Sequence, residues 1–168
     1  MANETIEFDF KRTECACDEC VRNCEFISGY LVPSDIQRIA DHLGETDLVN
    51  FALDHLFASP GATVCLSGKT YQIPTIVPAR KPNGVCHFLK NGRCTIHVVS
   101  PFACRYFDHS QSREEADAIS MRGLTEIAKA WQRGDLYSRL WMLLHETGRN
   151  ALSPQEARAR MKAASKAG

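Results

Sequence analysis

Hydrophobic positions recur at helical spacing in two stretches of the first sixty residues. Ile36, Ile39, Ala40 and Leu43 share one face of a helix that starts at Ser34, where Ser34-Asp35-Ile36-Gln37 reads as a capping box, and stops at Gly44. This is the first ordered helix the pattern predicts. A second runs from Thr46 or Asp47 to Ala58, burying Leu48, Phe51, Ala52, His55 and Leu56, with Ser59-Pro60-Gly61 as its stop. Over 62–82 the texture changes. Gly68, Pro74, Pro78 and Pro82 interrupt a Val-, Thr-, Tyr- and Ile-containing stretch, which predicts short strands and extended loops.

Residues 85–99 read as a β-hairpin around Asn91-Gly92. Its register matters because Cys86 and Cys94 lie on the two arms. A two-residue loop pairs Lys90 with Arg93 and sends the cysteines to opposite faces. A three-residue loop pairs Lys90 with Cys94 and puts Cys86, Phe88, Cys94 and Ile96 on one face. A regular hairpin that serves one site needs the second register; a distorted one does not.

The last third reads as helical. Ser112-Arg113-Glu114-Glu115 caps a helix through Trp131, and Asp135 to Thr147 form the next, with Leu136, Leu140, Trp141, Leu143 and Leu144 apolar. Ser153-Pro154 opens a final helix over 154–165, rich in Ala, Lys and Arg and expected to be exposed. Trp131 and Trp141 are expected to anchor the core. The expected fold class is α+β: an α-rich single domain with a small β-hairpin and an irregular, cysteine-held metal centre. Residues 1–150 are expected to form the metal-binding domain, and 151–168 an exposed C-terminal helix or tail.

Composition narrows the function classes. In 168 residues, 44% hydrophobic content supports a real core, and 20 basic residues balance 20 acidic ones, which removes the electrostatic case for nucleic acid or an anionic membrane. No apolar run reaches the length of a membrane span. Glu4, Glu7 and Asp9 rule out a signal peptide over the first residues, so eight cysteines are expected in the reducing cytoplasm, free or bound to metal. Walker A, G-x-G-x-x-G and H-E-x-x-H motifs are absent, so no enzyme class is assigned.

Seven of the eight cysteines form two groups: Cys15, Cys17, Cys20 and Cys24, then Cys86, Cys94 and Cys104. Thiols crowded this closely suit an ion or cluster, since one metal gathers several thiolates at once. Thiolates are soft ligands that favour zinc, iron–sulfur clusters and copper(I) over magnesium or calcium, and the cofactor expected here is an iron–sulfur cluster, iron or zinc. Seven thiols exceed one closed zinc site, and Cys17-x2-Cys20-x3-Cys24 echoes part of the bacterial ferredoxin run, so iron–sulfur or iron is slightly preferred over zinc. Cys65 stands apart and is read as a core residue. His87, His97 and His109, with Asp18, Glu19 and Asp108, are placed to support the site or to face solvent. Arg105 is placed either to donate to a sulfur-rich site or to hold a buried carboxylate. His42, His55 and His145 are read as structural.

The ordered combination of the dense N-terminal cysteines, Pro-Ser-Asp-Ile-Gln-Arg-Ile-Ala, Cys-His-Phe-Leu, Gly-Arg-Cys-Thr-Ile-His and Ser-Pro-Phe-Ala-Cys-Arg resembles the YkgJ-type cysteine-cluster family, described as zinc- or iron-chelating. The resemblance covers roughly residues 15 to 108. It implies metal chelation by Cys17, Cys20 and Cys24 with Cys15 displaced, and by Cys86, Cys94 and Cys104. The spacing here, C-x-C-x2-C-x3-C, departs from the family's C-x2-C-x2-C-C. Three functions remain open: a chelating metalloprotein, a metal-dependent redox or group-transfer enzyme, and a zinc-stabilised module for a protein partner.

Overall fold

A long antiparallel hairpin occupies the stretch where the second predicted helix should end. The computed structural model describes residues 18–105 and 111–168, apart from the side chains of Glu19 and Cys20. In it, α1 (Asp18–Phe26), α2 (Pro33–Leu43) and α3 (Leu48–His55) lead into β1 (Leu56–Leu66) and β2 (Lys69–Pro78). A miniature hairpin follows, β3 (Leu89–Lys90) with β4 (Arg93–Cys94), then a 3-10 turn at His97–Val99 and the short α4 (Phe102–Arg105). The chain closes with α5 (Arg113–Arg133), α6 (Leu136–Glu146) and α7 (Pro154–Lys166). The class is α+β in a single domain, as expected.

Several details differ from the sequence pattern, each for a physical reason. Helix α1 precedes the predicted first helix; its sequence Asp-Glu-Cys-Val-Arg-Asn-Cys-Glu-Phe has too few apolar residues to signal a buried face. Helix α3 stops at His55 and the chain turns extended at Leu56, so Ser59-Pro60-Gly61 is no helix stop. It is a bulge inside β1, where the pairing shifts between Ser59 and Ala62. A proline is tolerated there because the ladder is already interrupted. Gly61 is required: its φ is +83°, and a Cβ would stand 1.8 Å from the Ile73 carbonyl oxygen. Cys65 lies in β1 but is exposed, which corrects its reading as a core residue.

The two tryptophans clamp this bulge. Trp141 Nε1 donates to the Ser59 carbonyl at 2.8 Å, and Trp131 Nε1 donates to the Pro74 carbonyl at 3.0 Å. Their rings meet edge to face at 5.4 Å. Helices α5 and α6 thus dock on the hairpin through directed bonds as well as apolar contact. Two further bridges cover the hairpin's edges: Leu31 pairs with Ile76 and Asn150 pairs with Ala58.

The Leu31–Ile76 bridge is completed by a side chain. Leu31 N–H donates to Ile76 O at 2.8 Å, but the return bond is split by Tyr137. Ile76 N–H donates to the Tyr137 hydroxyl at 2.8 Å, and that hydroxyl donates to Leu31 O at 2.7 Å. Burial pushes the Tyr137 phenol well above its ordinary range, so it stays a neutral donor.

Asp35 is the second polar centre. Its carboxylate is fully buried and accepts from Val32 N–H at 3.0 Å, at the entry of α2, and from Phe102 N–H at 2.7 Å, at the start of α4. Arg38 and Arg105 pair with the other oxygen. The cap of α2 is therefore this carboxylate acting on Val32, and the predicted box at Ser34 is displaced. Burial raises the Asp35 pKa, while Arg38, Arg105 and the Phe102 and Val32 N–H groups work against that rise.

Helix α7 opens with the expected Ser153–Glu156 capping box and buries Ala157. It packs against α1, where Arg22 donates to the Ser165 hydroxyl. No helix among the described residues is long and apolar enough to cross a membrane.

Asp35→Asn removes the counter-charge from buried Arg105 and is expected to cost about 3–5 kcal/mol in urea denaturation; a loss below about 1 kcal/mol would show that the hub is not holding α2 to α4. Tyr137→Phe leaves Ile76 N–H and Leu31 C=O without their shared hydroxyl, and should lower stability by about 1–3 kcal/mol. The Glu156 carboxyl sits below its ordinary value of 4.5 because it accepts from Ser153. Its support for α7 is therefore present above that value and is lost as pH falls through the lowered one. Amide protection factors, corrected for the intrinsic slowing of exchange with falling pH, should drop in the first turn of α7 there before they drop in α5.

Candidate metal centre

Four cysteines reach one cleft from four separate segments. Cys24 comes from the last turns of α1, Cys86 from the loop after β2, Cys94 from β4 and Cys104 from α4. The two sequence groups are joined through the backbone, since Cys86 N–H donates to Cys24 O at 2.8 Å. The same loop is fixed from the other side by the Arg80–Cys86 bridge and by His87 N–H on Ala79 O at 2.8 Å. Cys104 is placed by Ala103 N–H on Tyr30 O at 3.2 Å and by Gly29 N–H on its own Sγ at 3.3 Å. The cleft is about 1390 Å³.

The miniature hairpin has the two-residue register, with Lys90 opposite Arg93 and Leu89 opposite Cys94. In a regular hairpin this would separate Cys86 from Cys94. The ladder spans only two residues on each arm, and Cys86 lies outside it, bridged to Arg80. The distortion brings both cysteines to the cleft without the three-residue loop.

Electrostatics sets how these thiols behave together. Burial pushes the Cys104 thiol well above its ordinary range, and the charges of Cys86, Cys24 and Cys94 push it further, against the Gly29 N–H. Cys86 is also buried, and both Cys86 and Cys104 are free thiols. Among the described residues, no group of three or more His, Cys, Asp or Glu side chains is already arranged to hold a metal ion. Cys15, Cys17, Asp108 and His109 lie outside the described residues. Cys20 stands on α1 one helical turn before Cys24, and its side chain, like that of Glu19, also lies outside them.

The other sequence candidates separate. His97, in the 3-10 turn, lines the cleft. His87 does not serve it: its Nε2 stands 2.9 Å from His55 Nδ1, and His55 Nε2 stands 2.5 Å from Glu45 Oε1. Burial, and then the charge of His55, lowers the His87 pKa. His55 uses both ring nitrogens along this line, so the three groups form a chain and not a converging ligand set. Asp18 is exposed at the start of α1. Arg105 takes the carboxylate role, bonding Asp35 at 3.2 Å.

Two residues of the site were not singled out in the sequence. Gly29 permits the close approach of α4: a Cβ there would lie 2.5 Å from the Ala103 carbonyl carbon and 2.7 Å from Cys104 Sγ. Arg80 is half-buried on the cleft wall, donating to Gly84 O and, at 3.1 Å, to Ser28 Oγ. Burial lowers its pKa, Cys86, Cys24 and Cys104 favour its charge, and Arg160 opposes it. Neither position carries a local signal. Ser28-Gly29 and Arg80-Lys81-Pro82 read as ordinary loop sequence until the cysteines are brought beside them.

No family model, curated protein or solved structure matches the chain, and the chemistry assigned to the cleft is therefore carried by its own residues.

Proposed function

We propose that this chain is a cysteine-cluster metalloprotein of a reducing compartment. It chelates an iron–sulfur cluster, iron or zinc through Cys24, Cys86, Cys94 and Cys104, with Cys15, Cys17 and Cys20 supplying the remaining thiols. The observation that carries this reading is the convergence of four cysteines from distant segments on one cleft. The donor set fits: thiolates are soft, and a cation would offset the burial, and after it the charges of Cys86 and Cys24, that hold the Cys104 thiol above its ordinary range. Seven thiols against the four of a closed zinc site favour a cluster. The resemblance of the motif order to that of the YkgJ-type proteins supports the same reading, on motifs alone.

A metal-dependent redox or group-transfer enzyme is the second reading. The cleft has more room than four thiols fill, and His97 stands on its wall. The interaction module has less support: on α6, Leu136 and Met142 are exposed but lie on different sides of the helix.

Anaerobically purified protein should be brown and contain iron with acid-labile sulfide. Colourless protein with stoichiometric zinc would replace the cluster by a closed zinc site, and protein without either metal would overturn the proposal. Cys104→Ser and Gly29→Ala are each expected to lower bound metal at least several-fold, the latter because its methyl group displaces α4. Cys65→Ser should leave metal content unchanged. Equal metal in the wild type and Cys104→Ser would remove Cys104 from the ligand set, provided far-UV circular dichroism shows both folded.

A further inference from the structure

We propose that Arg80 and Arg160 form an anion-binding subsite on the wall of the cysteine cleft, which takes the carboxylate or phosphate group of a small molecule. The inference stands on the arginines and does not depend on the metal. The chain as a whole is balanced, with 20 basic and 20 acidic residues, but this cleft is not. Among the described residues lining it are Arg80, Arg93, Arg158 and Arg160, against a single carboxylate, Glu25.

Two of these guanidinium groups converge on one backbone position. Arg80 donates through Nη1 to the Gly84 carbonyl, while Arg160 Nη2 lies 3.1 Å from the point a Cβ on Gly84 would occupy. The missing side chain at 84 leaves the space in which the Arg160 head group sits. Among the described residues no carboxylate pairs with Arg80, Arg158 or Arg160. Like charges held close, one of them half-buried, repel each other unless an anion lies between them.

Arg80 alone would be explained as a counter-charge to the thiols, since Cys86, Cys24 and Cys104 all act on it. Arg160 is not so explained. It is exposed on α7, beside Gly84, and no described group neutralises it. Arg80 is thus half-buried beside the cysteines, and Arg160 is exposed on the same cleft lining. The guanidinium fork matches the two oxygens of a carboxylate or phosphate, and two forks in one place give such an oxyanion both charge and direction. A molecule held there by its anionic end would lie in the cleft that the cysteines line.

The test titrates the full chain, with its metal content measured in every sample, against inorganic phosphate and separately against acetate at constant ionic strength. Binding is followed by two-dimensional amide NMR. Saturable shifts are expected at Gly84 and Val85, and Arg160→Met and Arg80→Met should each weaken binding at least about tenfold. Arg80→Lys should retain part of it. Saturation by phosphate alone or by acetate alone supports the subsite and assigns the ligand class. No shift at Gly84, or Arg160→Met binding as the wild type does, overturns it. Arg160 is exposed, so that variant is expected to fold. Metal-free protein that still binds phosphate through Arg160 would refute the chelation reading and leave the subsite standing. Metal-loaded protein indifferent to Arg160→Met would do the reverse.

Discussion

A carboxylate withdrawn wholly from water dictates how the N-terminal helices meet the cysteine-bearing loops. Asp35 is tolerated in the interior only because each oxygen is engaged: one by Val32 and Phe102 N–H groups, the other by Arg38 and Arg105. Those partners belong to the entry of α2, α2 itself and α4. Arg38 reaches further, donating to the carbonyls of Val99 at 3.3 Å and Ser100 at 3.1 Å. The segment from the 3-10 turn through Arg105 is thus tied to α2 by a charge that admits little variation in geometry. Cys104 sits inside that tied segment, and its position follows from the ion pair beside it.

Around the cleft two opposite electrostatic tendencies are set side by side. The Cys104 thiol resists ionising because it is buried and lies near Cys86 and Cys24. The wall beside them carries arginines with few carboxylates to answer them. The two meet at Arg80, whose charge Cys86, Cys24 and Cys104 favour and Arg160 opposes.

The parts legible in the sequence were those governed by local rules. Helices α5, α6 and α7 follow from spacing and caps, α2 follows from spacing and its Gly44 stop, and Cys24, Cys86, Cys94 and Cys104 of the two cysteine groups line one cleft. Where tertiary contacts decide, the sequence was ambiguous. Ser59-Pro60-Gly61 has the same composition whether it ends a helix or forms a bulge, and only the two indoles above it settle which. Cys65 falls on the outer part of a hairpin where neither face is fully covered, so apolar character alone misplaces it. Arg105 had two plausible partners, and choosing between sulfur and carboxylate requires knowing that Asp35 is buried opposite it. Gly29 and Arg80 matter only because α4 and the loop after β2 arrive beside them, and no local pattern encodes an arrival.

The hydroxyl set into the Leu31–Ile76 bridge also bears on the order in which the chain can fold. Its two ends lie 106 positions apart in the sequence. During synthesis the first three helices and the long hairpin emerge well before α6, so they must wait with that pairing incomplete. A contact of such separation slows the approach to the native state and delays the closing of the core until most of the chain is available. The N-terminal half is therefore a poor candidate for independent folding. A nascent chain stalled before α6 would present an unfinished sheet edge, the kind of surface on which chains aggregate and chaperones act.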